Sequence, residues 1–202
     1  MAGPIRPVGS TPSDDPSGED VMLLGGTTPS GLVAGLAVAA SGALLVGTSG
    51  VSASVSFTPA AAAYGAADIM DVAKEIAFTF ADGAAVSSGS VIRITAATTK
   101  IDVTSVPAGQ ASYTLHLYSV TPPSAQADND AWTLASADLP SYLGSIDLGT
   151  PADLGAALYI RTGALTVDLK LAGTSVFGRL VTAGAHTAAA VARQVTLIGV
   201  VQ

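Results

Sequence analysis

The sequence predicts an all-β protein, an antiparallel β-sandwich or jelly-roll-like domain preceded by an extended N-terminal arm and a β-hairpin. Short stretches of apolar/polar alternation recur from residue 51 to the C-terminus, the period expected of half-buried strands. Turn-forming residues separate them, and no long amphipathic helical pattern interrupts the series. The expected organisation is therefore an arm at 1–20, an apolar contact segment with a hairpin at 21–50, and a β-sandwich domain at 51–202.

In the arm, Pro4, Pro7, Pro12 and Pro16 favour extended backbone, and Asp14, Asp15, Glu19 and Asp20 make its distal part acidic. Such a segment cannot form its own core. Residues 21–67 contain no charged side chain, and within them "GLVAGLAVAASGALLVGTSG" is almost wholly apolar or small. A bilayer helix needs roughly 20 predominantly apolar residues. The strongest window, residues 32–46, is too short and is broken by Gly35, Ser41 and Gly42. It is read instead as a hairpin, "LAVAASGALLV", turning at Ser41-Gly42 and needing a partner surface for its apolar face.

The strands follow in order. "VSASVSFT" at 51–58 puts Val51, Ala53, Val55 and Phe57 on one face and Ser52, Ser54, Ser56 and Thr58 on the other. Further strands are expected at 76–80, 91–97, 100–106, 111–120, 142–149, 157–162, 164–171, 175–182 and 194–201. Asp82-Gly83, Ser88-Gly89, Pro107-Ala108-Gly109, Pro122-Pro123, Gly149-Thr150-Pro151 and Ala172-Gly173 mark turns between them. Short turns of helix are expected at most at 62–75, 151–155 and 186–192.

Charged residues make up 11% of the chain, against about 25% in typical domains, so much of the surface is expected to be hidden in an assembly. At 49% apolar residues and a net charge of -7, the composition is not that of a disordered chain. The Lys and Arg residues are scattered singly, which disfavours nucleic-acid binding. Without cysteine there is no disulfide framework and no thiolate chemistry. The first 20 residues have no apolar core of a signal peptide, so folding in the cytoplasm is expected.

His116 is the most tempting catalytic residue, because histidine shuttles protons near neutral pH. It shares a strand face with Thr114 and Tyr118, and an ordinary sheet-face role is the simpler reading. His186 follows Gly184 in a loop-like stretch with no flanking acid. Two isolated histidines without cysteine make the usual zinc sites improbable, and no G-x-S-x-G elbow occurs. No enzymatic activity, cofactor or metal is expected. "ADNDAW" could offer the oxygens of Asp128, Asn129 and Asp130 to calcium, but a polar turn before Trp132 fits better, since the spaced EF-hand pattern is missing. The long excursion between the strands at 111–120 and 142–149 reads as a contact loop. In it Trp132 and Tyr142, with Tyr118 beside them in sequence, form an expected anchoring cluster and a candidate loop contact.

"SYTLHLYSVTPPSA" at 112–125, "SYLGSIDLGTPADLG" at 141–155 and "GTSVFGRLVTAGAHTAAAVARQVTL" at 173–197 together resemble uncharacterised proteins encoded among the head genes of tailed bacteriophages. The resemblance covers roughly residues 51–202. An extended arm followed by an L-x-V-x-x-x-G-x-L-x-V hairpin, here residues 36–46, is also similar to the front part of phage virion proteins. The resemblance implies a capsid decoration (cement) protein, made in the host cytoplasm and seated on the virion exterior. Its expected partner is the major capsid protein, and a homo-oligomer, in particular a trimer, is expected. The expected contact residues are Ile5, Pro7 and Val8 of the arm, Leu23 and Leu24, and Leu32, Leu36, Val38, Leu44 and Val46 of the hairpin. The alternative is a tail, fibre or receptor-binding module that recognises host glycan through Trp132 and Tyr142.

Overall fold

A computed structural model describes residues 25–27, 33–35 and 50–202 of the chain. The chain divides into two units, Met1–Gly47 and Thr48–Gln202. In the first, strands β1 (Gly25–Thr27) and β2 (Val33–Gly35) pair antiparallel, Thr27 opposite Val33 and Gly25 opposite Gly35. Val33–Gly35, expected in the first arm of a hairpin turning at Ser41-Gly42, is thus paired with the chain before it. Residues 36–46 lie outside the described residues, as do Ile5, Pro7, Val8, Leu23, Leu24, Leu32, Leu36, Val38, Leu44 and Val46.

The second unit is all-β. Its strands are β3 (Gly50–Phe57), β4 (Ala63–Tyr64), β5 (Lys74–Ala77), β6 (Thr79–Phe80), β7 (Val91–Ile101), β8 (Tyr113–Tyr118), β9 (Tyr142–Gly149), β10 (Ala152–Asp153), β11 (Leu158–Thr162), β12 (Val167–Lys170), β13 (Ser175–Thr182), β14 (His186–Thr187) and β15 (Arg193–Val201). One sheet runs β10-β11-β7-β15-β3-β6 with β12 also on β7, the other runs β5-β13-β8-β9, and β14 pairs β4 in a short ribbon. All pairings are antiparallel.

The two sheets share one core, because each presents an alternating apolar face. From the larger sheet come Val51, Ala53, Val55 and Phe57 of β3, Val195 and Leu197 of β15, and Ile92, Ile94 and Ile101 of β7. Leu115 and Leu117 of β8, Val176 and Leu180 of β13, and Ile146 and Leu148 of β9 meet them from the other. Fully burying a side chain of this size contributes roughly 1.5–3 kcal/mol. Gly178 of β13 leaves room for its neighbours in the same sheet: a Cβ there would lie 2.7 Å from Ile76 Cδ1 and 3.0 Å from Leu115 Cδ1, with Phe57 Cζ of the opposite sheet at 3.6 Å.

The two strands expected at 91–97 and 100–106 are one strand, β7, which ends at Ile101. Its buried set changes phase, from Ile92 and Ile94 to Ala97, Thr99 and Ile101. A bulge causes the change, since Ile198 of β15 faces Ala96 while Gly199 faces Ile94, leaving Thr95 without an opposite residue. On its other edge β7 changes partner at the same place, from β11 at Ala97 to β12 at Ile94.

The helical turns expected at 62–75, 151–155 and 186–192 do not form; those stretches carry β4, the start of β5, β10 and β14 and connecting turns. Alanine favours helix locally, but here backbone pairing between distant segments wins, as in Ala62–Ala188 and Ala67–Thr182. The helical element among the described residues is one 3₁₀ turn, η1 (Leu139–Ser141), too short to cross a membrane.

Candidate functional site

The outer face of the four-stranded sheet carries the densest group of polar and aromatic side chains. On β8 and β13 the residues alternating away from the core include His116 and Tyr118, and Phe177 and Arg179. Register sets Arg179 opposite His116 and Phe177 opposite Tyr118. On the other side of β8, His116 faces Ser145, while Tyr118 faces Tyr142 because Leu143 is an extra residue in β9. At this bulge Gly144 adopts a φ of 118°, a conformation open to glycine. The resulting kink brings the Tyr142 hydroxyl within 3.0 Å of His116 Nδ1.

An exposed sheet face would leave these groups in water, but residues 121–141 cover them. Backbone hydrogen bonds moor the excursion: Ile69 N donates to Asp130 O at 2.9 Å, Asn129 N to Ile69 O at 2.9 Å, Trp132 N to Ala67 O at 2.8 Å and Ser119 N to Ser141 O at 2.7 Å. Trp132 then stacks on His116, ring centroids 3.7 Å apart, and its Nε1–H donates to the Tyr118 hydroxyl at 3.2 Å. Tyr118 and Tyr142 pack at 5.4 Å between centroids. Trp132, Tyr142 and Tyr118, expected to cluster from their scarcity, are thus brought together, with His116 in their midst.

The charged centre of the arrangement is Arg179 with Asp138, 1% and 0% exposed. Arg179 Nη1 lies 3.3 Å from Asp138 Oδ2 and donates to Gln126 Oε1 at 2.6 Å and to Ser124 Oγ at 3.1 Å. Its Nη2 donates to the Ser124 carbonyl, and its Cζ sits 5.6 Å from the Tyr118 ring centroid. Asp138 accepts from the Ser124 backbone N–H at 2.8 Å and from the Ser124 hydroxyl. One residue of the sheet thereby fixes both limbs of the excursion. Burial, with the Arg179 charge adding to it, pushes the His116 pKa down from 6.5 to about 4, so the imidazole is neutral at physiological pH. Burial raises the Tyr118 hydroxyl's pKa, against the opposing influence of Trp132 and Arg179.

A second anchor lies beside the first. Asp128 Oδ2 accepts from Ala60 N at 2.8 Å and from the Tyr64 hydroxyl at 2.7 Å, while its Oδ1 accepts from Asp71 N at 2.6 Å. Asp71 in turn accepts from Thr58 N and pairs with Lys74 Nζ at 3.2 Å. In "ADNDAW", Asp128 therefore works as a knot between three chain segments, and Asn129 takes a positive φ of 67° in the turn. Among the described residues, no group of three or more His, Asp or Glu is arranged to hold a metal ion.

Chemically, the arrangement locks a loop. Ser124 has its hydroxyl proton directed to Asp138, and His116 contacts an indole and a phenol, with Arg179 its register neighbour on β13. His186 lies elsewhere, on the β14–β4 ribbon, with Nδ1 3.0 Å from Gly184 O. Sequence reasoning missed Arg179 and Asp138. The only local signal was an arginine inside the otherwise apolar strand "SVFGRLVT"; nothing marked Asp138 as its partner 41 positions away. No protein-family model matches the sequence, and a search of curated proteins gives no match.

Proposed function

We propose that this protein is a structural component of a virion, a decoration (cement) protein that binds the assembled head shell of a tailed phage and stabilises it by non-covalent contacts with the major capsid protein. The observation that carries the non-enzymatic part is the commitment of His116, Arg179, Asp138 and Ser124 to holding residues 121–141 on the sheet. A histidine 7% exposed, stacked on Trp132 and held neutral, makes a poor proton shuttle for a substrate. The virion setting rests on the resemblance of residues 112–125, 141–155 and 173–197. The apolar segment with Leu36 and Leu44 supplies the expected contact to a shell subunit or to a sister chain of a trimer.

The test is a reconstruction of intact particles carrying the parent chain, Leu36→Asp or Leu44→Asp. Density for the β domain repeating on the shell, with occupancy lost in both variants while circular dichroism of the β domain is unchanged, is the expected outcome. Density only at the tail, or full occupancy in both variants, overturns the reading. Glycan recognition through Trp132 is the weaker alternative, because its ring is stacked on His116 and its N–H is given to Tyr118.

A further inference from the structure

Inside the sandwich, remote in sequence from the loop lock, the apolar face of β15 begins with a charge. Arg193 is 1% exposed and lies on the same face as Val195 and Leu197. Its register neighbours are Phe57 on β3 and Ile101 on β7, and Thr99, opposite Val195, is its diagonal neighbour. The facing sheet contributes Tyr113, paired with Thr182. The β14–β4 ribbon adds His186 and Tyr64, with ring centroids 6.4 Å from Tyr113 to His186 and 6.3 Å from His186 to Tyr64.

Hydrogen bonds within the chain satisfy this group only in part. Arg193 Nη1 donates to Ala189 O at 2.7 Å and to Val191 O at 2.5 Å. Arg193 Nε, the Tyr113 hydroxyl, Thr99 Oγ1, His186 Nε2 and, on the turn leading into β8, Gln110 Nε2 are buried without a well-aligned partner among the described residues, and the Arg193 guanidinium lies close enough to the Tyr113 hydroxyl to oppose the rise in pKa that burial gives it. Arg193 is in none of the ion pairs there. A buried guanidinium lacking a counter-charge carries a large desolvation penalty, and orphaned buried donors add to it.

The orphaned atoms are unbalanced in kind. Arg193 Nε and Gln110 Nε2 can only donate, and the hydroxyls of Tyr113 and Thr99 are free to donate. His186 Nδ1 needs its proton to donate to Gly184 O, so in the neutral ring Nε2 is the one obligatory acceptor. Excess donors around a fixed positive charge describe an anion receptor. We infer that this end of the sandwich is a binding site for a small inorganic anion of about chloride size, held by Arg193 Nε–H and Tyr113 O–H. Phe57, Ile101 and Tyr64, which are 0%, 1% and 3% exposed, shield this end of the sandwich from bulk water. The anion supplies the missing counter-charge and links both sheets to the β14–β4 ribbon.

The test compares thermal unfolding of the full chain in sodium chloride and in sodium gluconate at equal ionic strength, for the parent, Tyr113→Phe and Arg193→Met. A ligand bound only by the folded state raises the midpoint with its concentration. Chloride should raise the parent's midpoint by several degrees over gluconate, and Tyr113→Phe, which keeps the ring and removes one donor, should lose at least half of that gain. Arg193→Met, where it folds, should lose it all. In crystals grown in sodium bromide, an anomalous peak is expected beside Arg193 Nε and Tyr113 Oη. Equal midpoints in the two salts for the parent, an equal gain in parent and Tyr113→Phe, or no bromide at that position overturns the inference.

Discussion

His116 and Trp132 stack with ring centroids 3.7 Å apart and planes inclined by 19°, so the chain's single tryptophan covers one face of a histidine on the outer side of the sheet. Protonation of His116 would place a charge beneath that ring and beside Arg179. The folded-state pKa is lowered from 6.5 to about 4, so between those values the unfolded chain binds a proton that the folded chain declines. Stability therefore rises with pH across this window, is complete above the unfolded value, and is lost as pH falls toward 4. At about 1.36 kcal/mol per pH unit the loss is about 3 kcal/mol. Denaturant unfolding of the parent and His116→Gln at neutral pH and near pH 4 checks it: the parent should lose about 3 kcal/mol more than the variant. Parallel pH profiles would refute the assignment.

Arg179 and Asp138 form a buried pair whose members depend on each other. Removing one partner of such a pair costs about 3–5 kcal/mol, whereas replacing both with apolar groups costs much less. Asp138→Leu and Arg179→Met should each fall in that range, with the double variant well short of their sum. A double-mutant cycle measures the coupling directly; additive effects would mean that the pair does not anchor the excursion. Limited proteolysis should cut within residues 121–141 in the single variants before the rest of the domain.

Two glycines separate soft from hard steric limits. At Gly178 an added Cβ meets the ends of the Ile76 and Leu115 side chains at 2.7 and 3.0 Å, whereas at Gly184 it meets Gly109 O at 2.3 Å and Ala111 N at 2.8 Å. Side-chain tips shift and backbone does not. Gly178→Ala should cost about 1–3 kcal/mol, as overpacking does, and Gly184→Ala more. Equal midpoints in urea would show that the loop at 183–185 gives way as readily as the core.

The strands legible in the sequence were those whose alternation is uninterrupted. β9 and β13 occupy the expected 142–149 and 175–182, and β3 begins one residue early. The division expected in β7 falls at Thr98-Thr99, three residues beyond the bulge at Thr95, because two adjacent threonines followed by Lys100 carry no sign that the strand continues. The outer face of β8 was legible as a face, but its covering was not. What buries His116 is Trp132, placed there by backbone pairs between 67–69 and 129–132, contacts that no local pattern encodes. Ala-rich 186–192 departs from its helical expectation for the same reason, since Ala188 N bonds to Ala62 O across the fold.

The last prediction concerns Asp128, whose two oxygens join Ala60, Tyr64 and Asp71. Hydrogen bonds to a charged acceptor contribute about 1.5–3 kcal/mol each when buried and less where water competes. Ala60 is exposed and Tyr64 is 3% exposed, so the Tyr64 bond should carry the largest share. Asp128→Ala should cost about 2–4 kcal/mol and Tyr64→Phe about 1.5–2 kcal/mol, because the phenylalanine leaves the carboxylate its two backbone donors. Asp128→Asn should fall between them, since its amide nitrogen meets a donor where the carboxylate met one as an acceptor. Hydrogen exchange distinguishes a knot from a local turn: in Asp128→Ala, protection at Ile69 and Asp71 should fall together with that at Asn129 and Trp132. If only 127–130 loosens, Asp128 orders its own turn and the segment at 60–71 is held by the sheet alone.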